Sequence, residues 1–118
     1  MSETAMPQLA ARERLPHRRE HMVINFTTAD GFRYTAGLGY FADGRLAEVF
    51  LNADKIGTAI ETAARDSAVV ASIALQHGVP PDIIRHALTR NGNGAAGGPL
   101  GALLDLLAPN NPPDEGRL

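Results

Sequence analysis

The sequence contains no cysteine and no tryptophan. Without thiols there are no disulfides, no thiolate metal sites, no cysteine nucleophile and no dithiol chemistry. Aromatic residues make up only 5% of the 118 residues, few for a protein that would hold single-stranded nucleic acid on stacking platforms. A net charge of −2 argues in the same direction, since overall positive charge is absent. A single Lys stands beside ten Arg. No run approaches ~18 consecutive apolar residues, so no membrane span is expected. The opening MSETAMPQLAARER lacks an apolar signal-peptide core, and a cytoplasmic location is expected from it. What is present is ordinary for a globular chain: 44% hydrophobic and 20% charged residues, enough for one small domain with looser ends.

Residues 1–21 read as a polar arm. Arg12, Arg14, Arg18 and Arg19 surround Pro16, and the acids Glu3, Glu13 and Glu20 offset most of their charge. Residues 22–90 read as the compact domain. Met22, Ile24 and Phe26 alternate with Val23 and Asn25, predicting a first strand. Phe32, Tyr34, Ala36 and Leu38 alternate with Arg33, Thr35 and Gly37, predicting a second. Asp43-Gly44 is a hairpin signal, because glycine accepts the positive φ of a tight turn. Arg45–Leu51 is then the third strand, with Leu46, Glu48 and Phe50 on one face and Ala47, Val49 and Leu51 on the other.

A long helix follows. Thr58 and Glu61 have capping-box spacing, and the periodic small and apolar residues run from Ile60 to Leu75. Residues 68–75 are apolar nearly all round, which predicts a central helix covered on more than one side. Gly78 is the predicted stop. Pro80-Pro81-Asp82 opens a shorter helix. Residues 91–118 read as a Gly-rich linker (NGNGAAGG), a short apolar helix with Leu100, Leu103, Leu104 and Leu107 on one stripe, and a disordered tail. That last helix docks either on the domain itself or on another subunit. The expected fold is α+β: a three-stranded antiparallel meander covered by one long and one shorter helix, with the short C-terminal helix in addition. A sheet this small leaves a face and two edges open, so a homo-oligomer, a dimer before other states, is expected, formed through residues 68–75 or the Leu100–Leu107 helix.

Few motifs carry chemistry. Gly92, Gly94 and Gly97 satisfy G-x-G-x-x-G, but a predicted helix precedes them where the dinucleotide fingerprint requires a strand. His17, His21, His77 and His86 include no i, i+4 pair, so no metal site is expected. Glu48 and Asp66 are the acids placed to interrupt apolar stretches, with Arg33 or Arg65 as neutralising partners. A small enzyme using Glu48, Asp66 and a histidine would need them to converge in one cleft.

Several segments together resemble a known domain. They are Arg12-x-Arg14-Leu15-Pro16, Asp43-Gly44-Arg45-x-x-Glu48-Val49-Phe50-Leu51, Lys55-x-Gly57 and Ser72-x-Ala74-Leu75-Gln76-His77-Gly78-Val79-Pro80. Their order and spacing resemble the TSCPD domain, an accessory domain near the C-terminus of adenosylcobalamin-dependent (class II) ribonucleotide reductases, over about residues 11–90. Pro99-Leu100-Gly101 to Leu104-Asp105-Leu106 is similar to the C-terminal end of short free-standing relatives. The cysteine-containing signature that names the family is missing. The resemblance implies ribonucleotide reduction by a thiyl radical and a cysteine pair, which a chain without cysteine does not perform alone. No catalytic residue is carried over, and no cofactor is expected.

The function expected from the sequence is therefore a non-catalytic accessory or regulatory module of deoxyribonucleotide metabolism. It would bind a nucleotide or a protein partner of DNA precursor synthesis, with nucleic acid the weaker alternative. The candidate binding residues are Arg12, Arg14, Arg18 and Arg19, with Arg33 and Arg45 in addition, because guanidinium groups make bidentate contacts to phosphate or carboxylate. Replacing the four arm arginines with Ala is expected to abolish such binding while barely changing the melting temperature.

Overall fold

The computed structural model describes residues 11–55 and 57–109. The remainder of the expected arm (1–10) and of the expected tail (110–118) lie outside the described residues. The elements follow in the order β1 (His21–Thr27), β2 (Arg33–Tyr40), β3 (Leu46–Ala53), α1 (Ala59–Gln76), α2 (Pro81–Ala87) and α3 (Pro99–Leu107). The strands form one antiparallel sheet in the order β1-β2-β3, so the α+β meander is as the sequence predicts.

Alternation sets the two faces of the sheet. Ile24, Ala36 and Leu51 share a register row, as do Met22, Leu38 and Val49. These point to the helices, and Leu38, Val49 and Leu51 are among the largest side chains fully removed from water. The opposite face carries the row Val23, Gly37 and Phe50. The β2–β3 hairpin closes as expected: the Gly44 amide donates to the Phe41 carbonyl at 2.9 Å, and Gly44 has φ +93°. Register shifts at its base, where Gly39 faces Glu48 but Tyr40 faces Leu46, leaving Ala47 as the extra residue of a bulge.

Thr58 caps α1, its Oγ1 accepting from the Glu61 amide at 3.1 Å. The Glu61 carboxylate returns to the Gly57 amide at 2.8 Å, one residue before the cap. Helix α1 packs chiefly on β3. It presents Leu75 together with Ala64, Ala68 and Ala71, and the three small alanine side chains let the helix pack close to the sheet. The expectation of cover on several sides is not met among the described residues. Val69 is 56% exposed, Val70 67% and Ile73 41%, because the three-stranded sheet has only one helix-bearing face to offer.

The second layer of cover comes from α3 rather than α2. Leu100, Leu103 and Leu104 join the same core as Tyr34, Ala36 and Leu38, whereas α2 buries no residue fully. The Leu100–Leu107 stripe is thus turned inward on its own chain. Residues 91–98 also depart from an open linker. Asn91 N donates to Ala95 O at 2.8 Å, Gly97 N to Thr89 O at 2.9 Å, and Arg90 bridges to Ala96, so the segment is a hydrogen-bonded hairpin turn. A helix precedes it and no strand feeds it, which removes the dinucleotide reading of its glycines.

Candidate interaction surface

The chain bearing the expected binding arginines is laid along the domain by specific bonds. Glu13 N donates to the Gln76 carbonyl at 2.6 Å, and the Tyr40 amide donates to the Glu20 carbonyl at 3.2 Å. Gln76, only 4% exposed, is the hub of this attachment. Its Nε2 donates to the carbonyl of the bulged Ala47 at 3.0 Å, and its Oε1 accepts from Arg12 Nε at 2.7 Å. One side chain therefore joins the end of α1, the bulge of β3 and the arm.

The six candidate arginines divide into two groups. Arg19 Nε donates to Glu48 Oε2 at 2.6 Å and its Nη1 to the Pro16 carbonyl at 2.9 Å. Arg33 pairs with Asp54 at 3.1 Å. Arg45 contacts Asp43 at 2.7 Å and both Glu13 oxygens at 3.0 Å, and lies 4.5 Å over the Phe41 ring. The Asp43 hydrogen bond, then the one to Glu13, holds the Arg45 guanidinium above its ordinary pKa, while Arg45 holds Asp43 below its own. Arg12 is oriented by Gln76 but meets no carboxylate among the described residues, and Arg14 and Arg18 are exposed without an ion pair among them.

Glu48 sits on the helix-free face of the sheet, directly over Gly39, where a Cβ would collide with its Oε2 and Cγ. Glycine at this position makes room for the carboxylate. Arg19 and, at 3.6 Å, His21 complete the cluster, and Glu48 is buried. The convergence of Glu48 and Asp66 that the enzyme alternative needs is not seen among the described residues. Asp66 is exposed on α1, Arg33 is committed to Asp54, and Arg65 lies 3.6 Å from Glu61. The enzyme alternative thus loses the shared cleft it requires. Among the described residues no group of three or more His, Asp or Glu side chains could hold a metal ion, and no helix is long and apolar enough to cross a membrane.

What sequence reasoning missed is the groove between β3 and α1, a cavity of about 390 Å³. β3 is an edge strand, and its outward backbone groups are met by α1 side chains. Ser72 Oγ accepts from Val49 N at 2.9 Å and donates to Val49 O at 3.0 Å, as a neighbouring strand would, and Gln76 takes Ala47 O. The signal was present: Ser72 and Gln76 are four residues apart in an apolar helix, the spacing that sets two polar groups on one face. Beyond Ser72 the groove is lined by Phe50, Leu51, Val69 and Ile73, with Arg12 and Arg65 also on its wall.

No family model matches the chain, and no solved structure matches it. Curated proteins do. Over 78 residues, 66% of the chain, it is 35% identical to the vitamin B12-dependent ribonucleotide reductase of Agrobacterium fabrum and 33% identical to that of Bradyrhizobium diazoefficiens. It is 36% identical over 73 residues to the vitamin B12-dependent ribonucleotide reductase of Rhodopirellula baltica. The matched stretch is 6–7% of the length of these relatives. Two thirds of this chain is thus related to one small region of vitamin B12-dependent ribonucleotide reductases.

Proposed function

We propose that the chain is a non-catalytic accessory module of ribonucleotide reduction that acts by binding a protein partner, and that its related region is of the TSCPD type. The observation that carries this reading is the similarity to a small part of vitamin B12-dependent ribonucleotide reductases in a chain with no cysteine. Thiol-based reduction has no residue here to run on. Two features of the fold support protein rather than nucleotide binding. Arg19, Arg33 and Arg45 are already neutralised by internal carboxylates, and an apolar groove and helix face stand open to water.

The direct test is isothermal titration of the 118-residue chain with the vitamin B12-dependent ribonucleotide reductase of the same cells, together with reductase assays. Saturable association, with no turnover by the chain alone, is the expected result. Turnover by the isolated chain, or absence of association, overturns it. A nucleotide is the second reading, favoured by the exposed Arg14 and Arg18. A thermal-shift series against ribonucleotides and deoxyribonucleotides decides it, since a ligand of the folded state at a hundredfold excess over its Kd stabilises by about 2.7 kcal/mol.

A further inference from the structure

We propose that the cavity between the N-terminal half of α1 and the start of α3 binds a small carboxylic acid with an apolar body, its carboxylate received by the first amides of α3 and the Tyr34 hydroxyl. The cavity shares no lining residue with the β3–α1 groove, and the inference does not depend on the protein-binding reading.

The start of α3 is an uncapped helix end. The helix runs for nine residues from Pro99, and its cap residue Gly98 offers no side chain to the amides that follow. The first bond into the helix goes from Ala102 N to Gly98 O at 3.1 Å. The Leu100 and Gly101 amides therefore have no acceptor among the described residues, although both residues are buried. Serine, threonine, asparagine or aspartate commonly meets this need at a helix cap. The fold does not demand glycine at 98. Its φ of −148° is extended backbone, and an added Cβ would meet nothing within 4 Å. What glycine does here is leave two donors and the positive end of a helix beside an open cavity, an arrangement suited to an anion.

Tyr34 supplies an independent observation. Its side chain lies on the helix-bearing face of β2, stacked on Phe26 at 5.7 Å between ring centres, and is only 3% exposed. It lines the same cavity, and its hydroxyl makes no hydrogen bond among the described residues. A buried phenol ordinarily finds a partner. Burial, then the charge of Asp30 outside the lining, hold its pKa above the ordinary tyrosine value, so the hydroxyl is a donor at neutral pH.

The walls select the class of ligand. The cavity measures about 510 Å³, a size that small molecules occupy. Ile60, Ala63, Leu88 and Pro99 make it largely apolar, and no charged side chain lines it. A phosphate dianion would find no counter-charge there, whereas a single carboxylate is matched by a helix end and neutral donors. The wall is also held in place beforehand. Gly97 N donates to Thr89 O at 2.9 Å, and Arg90 ties the hairpin turn to Asp105 on α3. Little ordering is then needed on binding.

The test is titration of the intact chain with phenylacetate, isovalerate and octanoate, followed through its amide NMR resonances. Saturable shifts at Leu100 and Gly101 are expected with at least one of these acids below about 10 mM. Phenylacetamide and inorganic phosphate should leave both resonances in place. Tyr34→Phe should weaken the acid by about fivefold or more without lowering Tm, because the hydroxyl it removes had no partner in the free protein. Gly98→Asp should set a carboxylate of the chain itself on the Gly101 amide, so that binding is lost while Tm holds or rises. That combination separates a blocked site from an unfolded one. No shift with any of the three acids, an equal response to phenylacetamide or phosphate, or undiminished binding in either variant overturns the proposal.

Discussion

At the scale of single residues, the sheet face without helices is governed by one close approach. Glu48 lies flat over Gly39 because that residue has no Cβ, and this is what delivers its carboxylate to Arg19. Gly39→Ala forces the Glu48 side chain away from its partner, and a loss of about 2 kcal/mol is expected in urea unfolding. In the background of Glu48→Ala the same substitution should cost far less, so a double-mutant cycle reports strong non-additivity. Equal costs in both backgrounds would show that the carboxylate does not depend on that glycine. Gln76 makes a parallel case one residue away on the same strand, at Ala47. Gln76→Leu keeps the volume but strands the Ala47 carbonyl and Arg12 Nε, and about 2–3 kcal/mol should be lost. Neither site was legible beforehand. Period-two alternation put Glu48 on one face with Leu46 and Phe50, but only the cross-strand register told that a glycine faces it.

At the scale of elements, most of the fold could be read. The strands, the Thr58 cap, the helix stop near Gly78 and the proline-led α2 each follow from local chemistry that acts within a few residues. The destination of α3 could not, because a leucine stripe looks the same whether it covers its own sheet or another's. What fixes it is a clasp between three segments. Asp105 on α3 receives two bonds from Arg90 in the hairpin turn, at 2.6 and 2.7 Å, and one from Arg85 on α2 at 2.7 Å. The Arg90 bonds, aided by Arg85 and opposed by partial burial, hold the Asp105 carboxyl down to about 2. A depressed native pKa stabilises the fold above the unfolded value and loses that contribution as protonation proceeds. Stability should thus fall between about pH 4 and pH 2, by about 2 kcal/mol from this group. Asp105→Asn should lower stability at pH 7 by a similar amount and flatten the acid limb in that window. An unchanged acid limb in the variant would place the acid sensitivity elsewhere.

At the scale of the whole molecule, the arm is where sequence and structure part most clearly. Read as a string, Arg12, Arg14, Arg18 and Arg19 are one basic cluster around a proline, interchangeable in charge. Folded, they differ, because their partners come from 29 and 64 residues away, a separation that no local pattern encodes. Arg12 and Arg19 fasten the arm to Gln76 and Glu48, while Arg14 and Arg18 contact solvent. The expectation that all four can be removed at no thermal cost is therefore revised. The pair Arg14→Ala and Arg18→Ala should leave Tm within about 2 °C of the parent, as exposed substitutions do. The pair Arg12→Ala and Arg19→Ala leaves the buried Glu48 carboxylate and the Gln76 amide oxygen without their donors, a loss of about 2 kcal/mol or more. In a domain of this size each kcal/mol moves Tm by about 4–8 °C, so a fall of at least about 8 °C is expected by scanning calorimetry. Similar melting temperatures for the two double variants would mean that the arm is not fastened in solution. Because the Arg14/Arg18 pair spares the fold, it is also the variant in which a lost nucleotide shift reports binding rather than unfolding.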